Sequence, residues 1–503
     1  MLGIGKKQQD VTESAPANSI HQLFIAGKPC PSANGAVFED INPTTRQAMA
    51  HVSDATVSDM DAAIAAAHAA QPGWAKLPPA TRAEFFYKAA EIFTARQQEF
   101  CDALIQETGS GFGKAMFECS LVPLALREAA GLTTRPIGEI LPSNVPGKVN
   151  TAQRKPAGVV GVISPWNFPL YLSLRGFVYA LALGNTAVIK PSEDSPLTGG
   201  LMIADLLAEA GFPAGTVNVV TCSRDNVAEV GSKLIDDPRV ARVSFTGSTA
   251  VGREVAKACA AQFKRVILEM GGKNPIVVLD DADVDYAVSV AFFGAFLHQG
   301  QICMSVERVI VHEDIYDEFV EKFVPRVKKL TVGDSSKKEN ILGPVINDRA
   351  AERIKRHFDD AKAKGATVLA GGDIDGRFIS PTVFANVTPD MLLYQEESFG
   401  PVCSIFKVGS DEEAVRLAND SEYGLTAGVM SEDEGRALAI VNKLDTGNCH
   451  VNCSPVNDEP HVPFGGFKAS GLGKHGGKWS METFTETRWI TLDRGGRPFP
   501  PGF

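Results

Sequence analysis

No run of apolar residues in the chain is long enough to cross a bilayer, and no sustained apolar stretch follows Lys6 and Lys7. Neither a spanning helix nor a secretory leader is therefore expected. Basic excess is missing as well: 49 Lys and Arg stand against 60 Asp and Glu, a net charge of −11. Nucleic acid and anionic membrane both demand a basic face, so neither is an expected partner and a small molecule fits better. The nine cysteines have neither the paired spacing of a zinc site nor the density of a disulfide scaffold. No metal is assigned, and a cytoplasmic location is expected. Tandem repeats and low-complexity tracts are also lacking, which excludes a solenoid or scaffold. What is present is 503 residues with 44% hydrophobic and 22% charged side chains, enough for several cores and two or three domains.

Residues 1–20 are polar and aperiodic and read as a mobile arm, with order expected from Leu23 onward. Alanine-rich patterns of helical spacing cover 57–70 and 79–108, and Thr81 is placed to cap the second. From Gly158 the pattern changes. Short β-branched runs at 158–163, 186–189, 216–220 and 240–245 alternate with helical stretches, among them 198–210 and 251–262, the signature of a doubly wound parallel sheet. A second alternating block starts with a strand at 275–279 and a helix over 281–297, and 484–492 reads as a β-like tail. The expected fold is α/β: a Rossmann-like unit, a second α/β unit and a β-rich arm.

Cys303 in Gln299-Gly300-Gln301-Ile302-Cys303 and Glu269 in Glu269-Met270-Gly271-Gly272-Lys273 are a candidate nucleophile and base. A thiol needs only modest activation to attack a carbonyl carbon, although a lone cysteine is more often a small buried hydrophobe. The oxygen that gains charge in such an attack needs donors. Asn167, in Pro165-Trp166-Asn167-Phe168-Pro169 just after a predicted buried strand, is one candidate, and a proline-bounded turn is its plainer reading. Phe245-Thr246-Gly247-Ser248-Thr249 joins a predicted strand to a predicted helix, where backbone N–H groups can receive a pyrophosphate. Its spacing departs from the GxGxxG fingerprint. Lys190-Pro191-Ser192-Glu193 offers a carboxylate to ribose hydroxyls, or is a solvated loop.

Taken in order with Glu397-Ser398-Phe399-Gly400-Pro401 and Pro463-Phe464-Gly465-Gly466, these motifs resemble the aldehyde dehydrogenase superfamily across nearly the whole chain. Met270 replaces the family's usual leucine, a volume-conserving swap. The resemblance implies that Cys303 attacks the aldehyde, that Asn167 and the Cys303 N–H hold the oxyanion, and that Glu269 activates water to hydrolyse a thioester. It assigns the cofactor to Trp166, Lys190, Glu193, Gly247, Ser248, Glu397 and Phe399, with NAD favoured over NADP because Glu193 repels a 2′-phosphate. Lys273 either supports the base or is a surface or helix-end lysine. The implied division is 21–134 with 156–271 for the cofactor domain, 272–475 for the catalytic domain, and 135–155 with 476–503 for an arm that builds a homodimer or homotetramer.

Phe168, Leu172, Arg175, Ile302, Met304 and Phe464 are the implied tunnel walls. Most are apolar, and aryl rings bury well against such surfaces. With Leu174-Arg175, His298 through Ser305 and Asp458-Glu459-Pro460-His461, the chain is similar to the benzaldehyde, vanillin and salicylaldehyde branch. Arg175 is the exception among the walls. It fits a structural ion pair, or bidentate capture of a substrate carboxylate, which would make the substrate an aliphatic semialdehyde such as succinate semialdehyde. A catalytically silent binding protein on the same fold is the alternative of another class, and retention of Cys303, Glu269, Asn167 and Lys190 argues against it.

Overall fold

The structure, a computed structural model, describes residues 20–495 and 501–502, so of the arm expected at the N-terminus only Ile20 lies among the described residues. Ile20 already belongs to a short strand, Ile20–His21, paired with His51 and Val52.

Two large sheets organise the molecule. The first has eight strands, with Arg265–Glu269, Val240–Thr246, Val159–Ile163, Thr186–Lys190 and Val217–Val219 adjacent and parallel in that order. Successive strands leave Val159–Ile163 in opposite directions across the sheet, so the strand order reverses beside it. Side chains along these strands are buried on both faces, which explains their near-continuous β-branched runs. At one edge this sheet takes Gly471–Leu472, antiparallel to Arg265–Glu269, a segment expected within the second unit. The second sheet has seven strands, centred on Asn274–Val278, Val306–His312 and Thr426–Met430, all parallel to one another. A separate three-stranded sheet is antiparallel: Lys148–Pro156 lies between Gly138–Leu141 and Thr485–Asp493.

Between the first sheet and its helical layer runs Pro169–Ala182, a helix of 14 residues, all of them buried. A helix apolar on nearly every side belongs in an interior, and Arg175 is its one charged residue. It packs on Phe112–Leu132, a helix that the sequence pattern does not reveal because Gly113, Pro123 and Gly131 interrupt it.

Four local expectations are corrected. The stretch 79–108 is two helices, Pro79–Ala95 and Gln97–Thr108, parted at Arg96, whose φ of −104° and ψ of 10° leave the helical well. Thr81 is no cap: Pro78 holds the N-cap position and Pro79 the first turn, where a missing N–H costs nothing. In place of one helix over 198–210, a π-turn at Leu197–Leu201 precedes Met202–Glu209. The buried Glu107 carboxylate accepts from the Leu197 and Thr198 N–H groups at 2.7 and 2.9 Å and so caps the widened turn. Similarly, Phe484 ends a short helix, Trp479–Phe484, and the tail strand begins at Thr485. No helix among the described residues is long and apolar enough to cross a membrane.

Candidate active site

Open α/β sheets bind ligands outside the carboxyl ends of their strands where the strand order reverses. That point here is the gap between Val159–Ile163 and Val240–Thr246, and the turns leaving these strands carry Trp166 with Asn167 and Gly247 with Ser248. A cleft of about 960 Å³ opens over them, lined by Trp166, Lys190, Glu193, Gly247 and Ser248. Ser248 caps the helix Thr249–Ala261, its Oγ accepting from the Val251 N–H, so the helix N-terminus faces the cleft with donors for an anion. Lys190 is buried, its Nζ donating to the Pro191 carbonyl at 2.9 Å. Glu193 stays ionised: burial is outweighed by Lys190 and Arg224, which hold its carboxyl below the usual range. The size of the cleft, its helix terminus and its walled carboxylate fit a dinucleotide.

Glu397 and Phe399 reach the same region through neighbours. The Phe399 ring meets Trp166 edge-on at 5.5 Å, and Arg353 of the cleft wall donates from Nε to the Ser398 carbonyl at 3.3 Å. Glu397 accepts from the Gly272 N–H at 2.9 Å. Burial, then the nearby Glu307, pushes its carboxyl up to about 8.

The cysteine loop is built by a left-handed turn. His298, Gln299 and Gly300 have φ of 52°, 55° and 67°, and a Cβ on Gly300 would collide with the Gly400 carbonyl. The two glutamines of the motif are ties: Gln299 Nε2 donates to the Gly109 and Pro344 carbonyls, and Gln301 Oε1 accepts from the Ile346 N–H at 3.0 Å. Asn274 Nδ2 holds the Cys303 carbonyl at 2.8 Å. Asn167 Nδ2 donates to the Gln301 carbonyl at 3.0 Å, which brings its amide beside the loop with a second N–H to offer. Enclosure, then the charge of Glu269, pushes the Cys303 thiol up to about 12. At rest it is a neutral thiol.

Glu269 ends its strand in a buried three-group ion cluster. Arg175 pairs with Glu269 on one side and Asp458 on the other, with all three side chains at most 5% exposed. Burial pushes the Glu269 carboxyl up to about 7, an effect that Arg175 opposes and Asp458 reinforces. One guanidinium thus serves two carboxylates, leaving Glu269 basic enough to exchange a proton near neutrality. The Arg175 guanidinium also lies 4.4 Å from the Phe464 ring centroid. Phe168, Leu172, Ile302, Met304 and Phe464 share one buried apolar cluster, against which Cys303 packs. Of the six expected wall residues, five thus belong to one large buried core, and Arg175 lies against Phe464 with its charge engaged by two carboxylates.

Lys273 is neither a surface nor a helix-end residue. It is fully enclosed and ion-paired with Glu307. Sequence reasoning missed Glu307 altogether, took Asp458 only as part of a motif, and missed Arg224, 2.8 Å from Glu193. Nothing near these residues in the chain marks them, because their partners are distant: Asp458 meets Arg175 across 283 positions. No cluster of His, Cys, Asp or Glu suited to a metal occurs among the described residues.

Comparison with known proteins agrees with this geometry. The chain is 46% identical to a vanillin dehydrogenase of Pseudomonas fluorescens over 95% of its length and 99% of that protein's. It is 42% identical to a benzaldehyde dehydrogenase [NAD(+)] of Pseudomonas putida over 92% of this chain and 94% of the other. A crystal structure of a salicylaldehyde dehydrogenase from Pseudomonas putida G7 complexed with salicylaldehyde superposes with a TM-score of 0.94 at 38% identity, covering 96% of this chain and 99% of that one. Residues 31–490 match the aldehyde dehydrogenase family, and with that match and these relatives covering nearly the whole chain, the chain belongs to that family.

Proposed function

We propose that the protein oxidises an aromatic aldehyde of the benzaldehyde or vanillin type to its carboxylic acid, with NAD as oxidant, Cys303 as nucleophile and Glu269 as base. The observation that carries the aromatic reading is the commitment of Arg175 to Glu269 and Asp458 within walls of Phe168, Leu172 and Phe464. A guanidinium already shared by two carboxylates has little left for a substrate carboxylate, and rings favour apolar walls. The relatives named for vanillin, benzaldehyde and salicylaldehyde support the same reading.

In this mechanism the neutral Cys303 thiol yields its proton to a base as sulfur bonds to the aldehyde carbon. The carbonyl π pair moves to oxygen, where the Asn167 amide and the Cys303 backbone N–H stabilise it. Lys190, Glu193, Ser248 and the Gly247 turn would hold NAD, with Glu397, Phe399 and Trp166 positioning it, and the bound cofactor would supply the hydride acceptor needed to oxidise the thiohemiacetal to a thioester. Glu269 then draws a proton from water, the water oxygen bonds to the acyl carbon, and the C–S bond breaks to release the acid. Glu193 favours a free 2′-hydroxyl over a 2′-phosphate. Because Arg224 at 2.8 Å and Arg349 at 4.0 Å offset its charge, that preference is graded.

The arm sheet leaves Ile140 81% and Trp489 69% exposed. A second copy of the chain, in a homodimer or homotetramer, is the occupant that fits this apolar face. The assembly is assigned to the cytoplasm.

The reading is tested by kcat/KM for benzaldehyde, vanillin and succinate semialdehyde with NAD, followed as NADH. Aryl aldehydes are expected to lead by about tenfold or more, the range of discrimination available to a hydrophobic pocket. A lead for the semialdehyde would overturn it.

A pH profile tests the ion cluster. Glu269 is a base only when ionised, so kcat should rise with pH through about 7 and fall about tenfold per unit well below it. Arg175→Met removes the charge that favours the carboxylate, so the limb should move to higher pH. The variant should also lose about 3–5 kcal/mol of stability, as buried pairs do when one partner is removed. A limb that stays in place would remove Arg175 from this role.

A further inference from the structure

Glu307, on the strand Val306–His312, is 3% exposed, and the mechanism above does not use it. Its carboxylate accepts from the Ser398 N–H at 2.8 and 2.9 Å and from the Phe399 N–H at 3.1 Å, while Lys273 pairs with it from the other side. Two successive N–H groups converging on one carboxylate form a nest for an anion. That nest sits where the backbone needs it, because Phe399 has φ of +50°, a left-handed conformation that a phenylalanine resists. Lys273 Nζ also reaches Ser398 Oγ at 3.3 Å, and Gly272 N–H holds Glu397 at 2.9 Å. The loop Glu397–Phe399 is thus fastened to the strand beyond Cys303 and to the segment after Glu269 by one buried ion pair.

We infer that Glu307 is a positioning residue for hydride transfer, holding Glu397 and Phe399 in the geometry that places the nicotinamide end of the cofactor. The inference rests on the cofactor reading proposed above. The cysteine and the base are held separately: Asn274 fixes the Cys303 carbonyl, Arg175 pairs with Glu269, and Met270 N–H donates to the Ser470 carbonyl at 2.9 Å. Loosening the clamp should therefore impair the hydride step and spare acylation and hydrolysis.

Two reactions separate these steps. Oxidation of benzaldehyde requires hydride transfer. Hydrolysis of p-nitrophenyl acetate does not: the thiol gives its proton to a base as sulfur bonds to the acetyl carbon, p-nitrophenolate leaves with the ester bond's electrons, and water then adds to the acyl carbon as the C–S bond breaks to release acetate. Glu307→Gln keeps the side-chain shape but leaves Lys273 buried without a counter-charge, so Lys273→Met with Glu307→Gln, which removes both charges, is tested beside it. In either variant oxidation should fall at least tenfold, with ester hydrolysis in the absence of NAD within about twofold of the unmodified protein. Equal losses in both reactions in the paired variant, or no loss in either, would overturn the inference. Ester hydrolysis without any NADH formation by the unmodified protein would instead overturn the cofactor reading and this inference with it.

Discussion

Replacing Cys303 by alanine should lower NADH formation from benzaldehyde by about 10⁴-fold or more, the scale seen when a covalent nucleophile is removed. NAD binding, measured by calorimetric titration, should stay within about twofold. The separation follows from placement: Cys303 packs against the apolar cluster of Phe168, Ile302 and Phe464, whereas the cleft is walled by Lys190, Glu193, Gly247 and Ser248. Alanine removes the sulfur and leaves the loop's ties intact, because they run through the Cys303 carbonyl and the flanking glutamines. Turnover that survives the substitution would remove Cys303 from the nucleophile's role.

Glu269→Gln should slow the steady state by about 10²- to 10⁴-fold, the range for loss of a general base. The form of the loss is more telling than its size. If water activation is its main task, a pre-steady-state burst of NADH should precede the slow phase, and mass spectrometry of the quenched protein should find the aroyl group on Cys303. A loss without burst or acyl adduct would place the role of Glu269 before acylation, as base for the thiol, which enclosure pushes up to about 12. The variant should fold well, because Arg175 and Asp458 remain as a balanced buried pair.

The parts of the fold legible in the sequence were those whose local pattern matches their environment. The strands at 159–163 and 186–190 are buried on both faces, and their runs of Val and Ile reflect it. Phe112–Leu132 was not legible because glycine and proline interrupt its pattern while tertiary packing supports it. The break at Arg96 was hidden for a related reason: the apolar spacing runs on, and the backbone turns where Arg96 reaches Glu99 at 2.8 Å and Glu209.

The site divides in the same way. The candidate nucleophile, base and oxyanion donor, with their glycine-bearing flanks, could be read from the chain alone, because each needs a particular residue type in a short segment that turns sharply at a strand end. Which charges Arg175 meets was decided only by tertiary structure. The chain equally allowed a substrate anchor and a structural ion pair, and the second arises because folding carries Asp458 and Glu269 to either side of one guanidinium. Glu307 and Lys273 were settled in the same way, by a nest whose donors lie 91 residues beyond the carboxylate. Motifs report chemistry that is local in the chain. The energy of a buried charge depends on which charges share its low-dielectric surroundings, and only the completed packing determines that.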